Sequence, residues 1–166
     1  MKTKTKKIVM ASMLAALVCI ATIVIVVPTP FKGYLNAGDA IVLLCGWLLT
    51  PAYGFFAAAV GAALADLILG YVIYAPATFV IKGLMALSAC LLFKNLKKKT
   101  SEAVSCVLSG IVAEIIMVTG YYVYEGFLYG FLASAINIPA NMLQGAAGIL
   151  LGIILFGILT RKIKRG

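Results

Sequence analysis

Apolar side chains fill six segments of the chain, and polar residues gather in the short connections between them. The apolar segments cover residues 8–27, 38–49, 51–70, 76–93, 103–124 and 137–160. A helix needs about 20 apolar residues to cross roughly 30 Å of hydrocarbon, so every segment except the second is long enough to span a membrane. The pattern predicts an all-α integral membrane protein, a bundle of six transmembrane helices that forms one domain over residues 1–166.

The second segment is too short to cross the bilayer alone, because it reaches only Leu49 before Thr50 and Pro51. Two explanations fit. The second helix is displaced toward one side, or the preceding loop, residues 31–36, folds back into the protein and supplies the missing depth. We favour the second explanation, an inserted outer loop between the first and second helices that acts as a lid.

Basic residues mark one side of the membrane. Twelve of the fourteen Lys and Arg residues lie before the first helix, after the fourth and after the sixth. The positive-inside rule then predicts a multi-pass protein of the cell membrane with both termini in the cytoplasm. The exceptions are Lys32, in the outer loop, and Lys82, inside the fourth helix. Topology and attraction to anionic lipid explain the basic runs, so nucleic acid is not an expected partner.

The composition limits the chemistry that the chain can perform. It is 64% hydrophobic and contains no histidine. Cys19, Cys45, Cys90 and Cys106 lie in or beside apolar segments and form no C-x-x-C pair, so we interpret them as reduced packing residues. We expect no metal site, no disulfide framework and no cofactor.

A small membrane enzyme acting on a lipid or polyprenyl substrate is the alternative class. Against it, the sequence offers no paired-Asp metal motif and no arrangement of nucleophile and base, so no catalytic residues are predicted. A channel would need polar residues along the full length of a pore, and here they stop about halfway. The pattern favours a binding site in one half of the bundle.

Two charged residues lie inside the third and fourth predicted helices. Asp66 precedes the connection at residues 71–75 and Lys82 follows it, so at about 1.5 Å per residue they lie roughly 6 and 9 Å from the outer tip of this hairpin. We predict an ion pair between neighbouring helices. Intramembrane charges usually mark a functional site, and the alternative is a purely structural salt bridge.

One face of the sixth helix carries amides and then glycines. Asn137, Asn141, Gln144, Gly148 and Gly152 recur at steps of four, three, four and four. The outer amides can read a ligand, whereas the inner glycines let a neighbouring helix approach closely. Asn137 either caps the helix or contacts ligand, and the other two amides either bind ligand or join helices.

Carboxyl groups in the second and fifth helices have different predicted roles. Glu114 lies roughly 15 Å deep, on or near the same face as Tyr121 and Glu125. Since an isolated carboxylate there is too costly, we expect Glu114 to be protonated, paired with Lys82, or bonded to the amides of the sixth helix. Asp39 starts the second helix, where a capping role is favoured.

Tyrosines are concentrated at the outer end of the bundle. Seven of the eight lie there: Tyr34, Tyr71, Tyr74, Tyr121, Tyr122, Tyr124 and Tyr129. An interfacial belt should occupy both ends, so several of these rings are expected to line a site open to the outside. The predicted substrate-binding residues are Tyr34, Asn36, Lys82, Glu114, Tyr121, Asn137, Asn141 and Gln144.

Small residues recur every four positions near the cytoplasmic end of the first helix. Ala11 with Ala15, and Ser12 with Ala16, form a strip that lets another helix approach closely. The strip either docks on a second membrane subunit or packs within the chain.

Several of these stretches together resemble a known family. The chain is similar to the substrate-binding membrane subunits (S components) of energy-coupling factor (ECF) vitamin transporters, in the group around riboflavin, pyridoxine and hydroxymethylpyrimidine uptake. The specific stretches are GYLNAGDAIVLL at residues 33–44 and ADLILGYVIYAPATFVIKG at residues 65–83. The Ala11/Ala15 strip and the Asn141/Gln144 opening of the sixth helix add to them.

The resemblance implies that the outer loop and the outer halves of helices four, five and six enclose one vitamin-like molecule. It also implies that the Ala11/Ala15 face docks on a membrane coupling subunit driven by two ATPases, and that the S component topples to deliver its cargo. No Walker phosphate loop occurs in this sequence, so ATP hydrolysis is expected in partner chains.

The expected cargo is a small, water-soluble aromatic heterocycle. Amides can read ring nitrogens, and the outer half carries no arginine fork for a strongly anionic ligand. We favour a one-ring compound such as pyridoxine or hydroxymethylpyrimidine over riboflavin, because the tail of riboflavin needs more hydroxyl partners than the counted polar residues supply.

Overall fold

A computed structural model of the chain describes residues 4–28 and 34–165, with side chains through residue 161. The helices are α1 (Lys4–Val24), α2 (Gly38–Leu48), α3 (Pro51–Ile68), α4 (Ala75–Leu96), α5 (Glu102–Tyr129), α6 (Phe131–Ser134) and α7 (Ile138–Arg165). Two short strands, β1 (Val26–Pro28) and β2 (Tyr34–Asn36), lie between α1 and α2, and a 3-10 turn (Ala135–Asn137) joins α6 to α7.

Five helical segments of the described chain are long and apolar enough to cross a membrane. They are Lys4–Val24, Pro51–Ile68, Ala75–Leu96, Glu102–Tyr129 and Phe131–Arg161. With the shorter α2, they form the predicted all-α membrane bundle, and this fold class is confirmed. The helix called sixth in the sequence corresponds to α7.

The short helix α2 lies at the centre of the bundle. Val42, Leu43 and Cys45 are fully buried, and α2 packs against α1, α3, α4 and α7. Trp47, near its end, packs its ring against Phe156 with centroids 5.7 Å apart. Because other helices cover α2, it does not have to match the thickness of the hydrocarbon, which explains its length.

The predicted insertion between α1 and α2 lies at one end of the bundle, where β2 contacts α1 and α7. Strands β1 and β2 pair antiparallel, with Val27 opposite Leu35, and we call this pair the lid hairpin. The tip of the predicted loop, residues 29–33 with Lys32, lies outside the described residues. Opening and closing of the lid hairpin stay a prediction.

Helix α5 is longer than the sequence indicated. The apolar pattern predicts an end at residue 124 and an aromatic, glycine-bearing connection over residues 125–135, but the helix continues to Tyr129. The helix continues through Gly126, where the ring of Phe131 packs in the space that a side chain would occupy. The helix ends at Gly130, whose φ of +94° favours glycine.

The small-residue strip of α1 is divided between two environments. Ala11 and Ala15 are half-buried against the core, and a Cβ atom added to Gly61 of α3 would lie only 2.3 Å from the Ala15 carbonyl oxygen. Ser12 and Ala16 are exposed. The Ala15 side therefore packs at least partly within the chain, and docking of the Ala11/Ala15 face on a partner stays a prediction.

This contact predicts a stability difference between two helical glycines. Gly61→Ala should lower the free energy of unfolding by about 1–3 kcal/mol relative to Gly157→Ala, because overpacking forces α1 and α3 apart. A Cβ atom at Gly157 meets no atom within 4 Å. Both substitutions raise the helix propensity by the same amount, so the difference in stability between them reports the close contact between α1 and α3. Thermal unfolding in detergent measures it, and equal stabilities would contradict the α1 and α3 contact.

Candidate functional site

A polar cavity opens at one end of the bundle, beneath the lid hairpin. Its space is about 480 Å³, solvent at the mouth included. The lining residues come from α1, β2, α3, α4, α5, α7 and the residue before α4: Thr22, Tyr34, Asn36, Ala62, Asp66, Tyr74, Thr78, Lys82, Tyr121, Glu125, Asn141 and Gln144. Eleven of these twelve side chains carry a polar group.

The floor of the cavity is an ion pair between Lys82 and Asp39, both almost fully buried. The other carboxylate oxygen of Asp39 accepts a hydrogen bond of 2.5 Å from the Gln144 amide. The Lys82 ammonium also lies 5.5 Å from the centre of the Tyr121 ring. These contacts join α2, α4, α5 and α7 at one point.

This floor corrects two predictions. Lys82 forms its ion pair with Asp39 rather than with Asp66, and Asp39 does not cap α2. The physical reason is the central position of α2, which turns its first-turn carboxylate toward α4 and α7. A buried ammonium then satisfies that carboxylate better than the helix's own N–H groups could.

The lid hairpin is held to the bundle by hydrogen bonds. The Tyr34 hydroxyl donates to Asp66 Oδ1 at 2.5 Å, and the Asn36 backbone N–H donates to Gln144 Oε1 at 2.8 Å. The Tyr34 ring also packs against Tyr71, with centroids 4.7 Å apart. Burial, and then the nearby Asp66 carboxylate, raise the pKa of Tyr34, so its hydroxyl stays a donor near neutral pH.

The wall formed by α4 and α5 carries a second set of polar contacts. Thr78 and Tyr121 share a hydrogen bond of 3.0 Å between their hydroxyls. Tyr74 donates to Glu125 Oε1 at 3.4 Å, and the Asn137 amide donates to Glu125 Oε2 at 2.9 Å. Asn137 is not among the lining residues, so it contributes by orienting Glu125 instead of contacting the cavity.

Glu114 lies behind the cavity and does not line it. The residue is 6% exposed, and neither carboxyl oxygen has a hydrogen-bond partner within the described residues. The carboxyl lies against α7, because a Cβ atom added to Gly145 would lie 3.0 Å from Oε2. The structure shows neither the predicted pairing with Lys82 nor a bond to the α7 amides, and protonation is the expectation that stands.

Six of the eight predicted binding residues meet in this cavity: Tyr34, Asn36, Lys82, Tyr121, Asn141 and Gln144. Sequence reasoning missed Thr22, Tyr74, Thr78 and Glu125 as lining residues. A signal existed for two of them. Thr22 lies four residues after Val18 on the buried face of α1, and Thr78 lies one turn before Lys82 on α4.

Comparison with known proteins identifies the class. Residues 2–161 match the family described as the S component of the ECF-type riboflavin transporter. The chain therefore belongs to this family of S components. S components are substrate-binding transport subunits, and the family gives no support to the membrane-enzyme alternative.

Individual proteins are similar to this chain over most of its length. A Pyrococcus woesei protein, described as an uncharacterized protein in the gap 3' region, is 34% identical over 147 residues, which cover 88% of this chain and 96% of that protein. The S component of a bacterial ECF transporter has a TM-score of 0.74 and 24% identity over 98% of this chain and 99% of its own. A biotin S component has a TM-score of 0.63 and 16% identity over 93% and 92%. At these identities the structures show a shared fold.

Proposed function

We propose that this chain binds a small aromatic heterocycle from outside the cell and passes it to an ECF transporter for uptake. The preferred cargo is a one-ring vitamin or precursor, such as pyridoxine or hydroxymethylpyrimidine. The polar cavity under the lid hairpin carries this proposal. Eleven of its twelve lining side chains are polar, and they converge on one space from six helices and strands and from Tyr74 before α4.

The lining residues suit a flat, polar molecule. Tyr34 and Tyr121 offer rings for stacking, while Asn141 and Gln144 offer amides that both donate and accept hydrogen bonds. Lys82 supplies a donor at the floor. The bonds from Tyr34 and Asn36 to the bundle hold the lid hairpin over the cavity, which would keep water from a bound ligand.

Riboflavin is the second candidate, and two observations favour it. The matching family is named for riboflavin. The cavity also has more polar lining residues than the sequence indicated, so hydroxyl partners for a sugar-like tail are less scarce than expected.

Direct binding by the purified chain separates the candidates. Isothermal titration calorimetry with pyridoxine, hydroxymethylpyrimidine and riboflavin should give one tight site for a one-ring compound. The thermal unfolding temperature of the same samples should rise only when the compound that binds is present. Binding of riboflavin alone would reverse the preferred substrate and keep the transport role. Turnover of a substrate without partner subunits would contradict that role.

Uptake would require a membrane coupling subunit and two ATPases in other chains. We propose that α1 carries the docking surface, with its exposed Ser12 and Ala16 facing the partner beside the half-buried Ala11 and Ala15. In the proposed orientation, both termini and this surface lie on the cytoplasmic side, where the basic residues gather.

The docking proposal predicts the effect of one added side chain. Ala16→Leu should reduce co-purification with the coupling subunit while leaving ligand affinity unchanged, because it adds bulk to an exposed small-residue face far from the cavity. Ala103→Leu, at an exposed alanine near the same end of α5, is the matched control. If the complex survives Ala16→Leu as well as Ala103→Leu, docking occurs elsewhere.

A further inference from the structure

Acidic side chains gather at the cavity although the chain as a whole is basic. The net charge is +9, yet four of the five acidic residues are buried in or beside the site: Asp39, Asp66, Glu114 and Glu125. The buried cation of the described chain is Lys82, and it pairs with Asp39. Asp66 and Glu125, which line the cavity, have no Lys or Arg within ion-pair distance among the described residues.

Asp66 has an unused hydrogen-bonding position. The residue is 2% exposed, and its Oδ1 accepts from the Tyr34 hydroxyl. Its Oδ2 has no hydrogen-bond partner within the described residues. A buried carboxylate oxygen without a hydrogen-bond partner is unfavourable. A ligand that donates a hydrogen bond to it would therefore gain more binding free energy than it could from an exposed acceptor.

Glu125 faces the same cavity from α5 in a fixed orientation. Its two carboxyl oxygens accept hydrogen bonds from Tyr74, which precedes Glu125 in the sequence, and from Asn137, which follows it. It thus places a second carboxyl group at a defined position but keeps fewer free acceptor sites than Asp66 does. The two carboxylates together would attract a cation and repel an anion.

We infer that Asp66 selects a ligand with a basic nitrogen, which it binds as an N–H donor through Oδ2. This inference rests on the proposed function and narrows its substrate class to weakly basic nitrogen heterocycles, such as aminopyrimidines and pyridines, bound in the protonated form. The proton that such a ligand carries comes from water. Phosphate esters of the same compounds should not bind, because their charge would meet Asp66 and Glu125, and the only cation among the described lining residues, Lys82, is already paired with Asp39.

The first test compares two ligands on the unmodified chain. Calorimetry would use 4-amino-5-hydroxymethyl-2-methylpyrimidine and its 4-oxo analogue, which lacks the amino group and is far less basic. We expect the amino compound to bind at least about tenfold more tightly, the size of effect that a lost partner to a buried polar group produces. Equal affinities, or a preference for the oxo compound, would overturn the inference without any variant.

The second test changes the selecting residue. Asp66→Asn keeps an acceptor for Tyr34 but removes the charge, and it should reduce the preference for the amino compound by at least about tenfold. Glu102→Gln removes the fifth acidic residue, at the cytoplasmic end of α5, and should leave the preference unchanged. Thermal unfolding of each variant checks that it is folded.

The outcomes separate this inference from the function on which it rests. If the unmodified chain binds pyridoxine or a pyrimidine and Asp66→Asn leaves the preference intact, only the role of Asp66 is wrong. If it binds riboflavin and no basic heterocycle, the basic substrate class is overturned while the transport role stands. If it binds none of these compounds, the proposed function itself fails.

Discussion

Replacing Lys82 with methionine is expected to abolish ligand binding by the purified chain. The ammonium is 3% exposed, lies at the floor of the cavity and pairs with Asp39. Removing one partner of a buried ion pair leaves an uncompensated charge and costs about 3–5 kcal/mol. The change also removes a hydrogen-bond donor from the site. Calorimetry with the compound that binds the unmodified chain should detect no saturable binding.

A double variant distinguishes loss of the site from loss of folding. Asp39→Asn combined with Lys82→Met removes both charges, and it should recover most of the thermal stability while binding stays lost. Lys94→Met, at an exposed position of the same helix, should change neither property. Unchanged affinity in a folded Lys82→Met protein would contradict the assignment of Lys82 to the ligand site.

Replacing Gln144 with leucine is expected to weaken binding at least about tenfold, chiefly through faster dissociation. Gln144 connects the floor to the lid hairpin, because it accepts from the Asn36 backbone N–H at 2.8 Å and donates to Asp39 at 2.5 Å. Leucine would leave both groups without this partner, at a cost of about 1–3 kcal/mol for each buried polar group. The lid hairpin would then lose a bond that ties it to α7.

Surface plasmon resonance on the reconstituted chain can measure the dissociation rate. Met142→Leu, an exposed position two residues earlier on α7, is the matched control and should leave the rate unchanged. A Gln144→Leu protein with an unaltered dissociation rate would contradict the role of this side chain in retaining the ligand beneath the lid hairpin.

Local patterns in the sequence were sufficient for the architecture and for much of the cavity. The apolar runs predicted the spanning helices because a helix in hydrocarbon must satisfy its own backbone, which leaves little choice of secondary structure. The spacing of Asn141 and Gln144 placed both amides on one helix face, and both line the cavity. Even the insertion between α1 and α2 followed from the short length of the second apolar run.

Contacts between distant segments were not accessible in the same way. Lys82 and Asp39 are 43 positions apart, and Gln144 is 105 positions from Asp39, so no spacing rule relates them. The sequence favoured Asp66 for Lys82 because the two flank one hairpin, and favoured a cap for Asp39 because it begins a helix. Each expectation rested on contacts within one helix or between two neighbouring helices, whereas Asp39 lies where four helices meet.

The sequence by itself determined the membrane class, the number of apolar segments, the uneven charge and the polar character of one half of the bundle. Each of these depends on the chain's own periodicity and on the bilayer as solvent. The tertiary structure alone decided which carboxylate pairs with Lys82, which side of α1 is covered, and that Glu114 and Asn137 lie behind the cavity. Those outcomes depend on how α2 is enclosed by its neighbours, because a buried charge takes whichever partner the packing brings within reach.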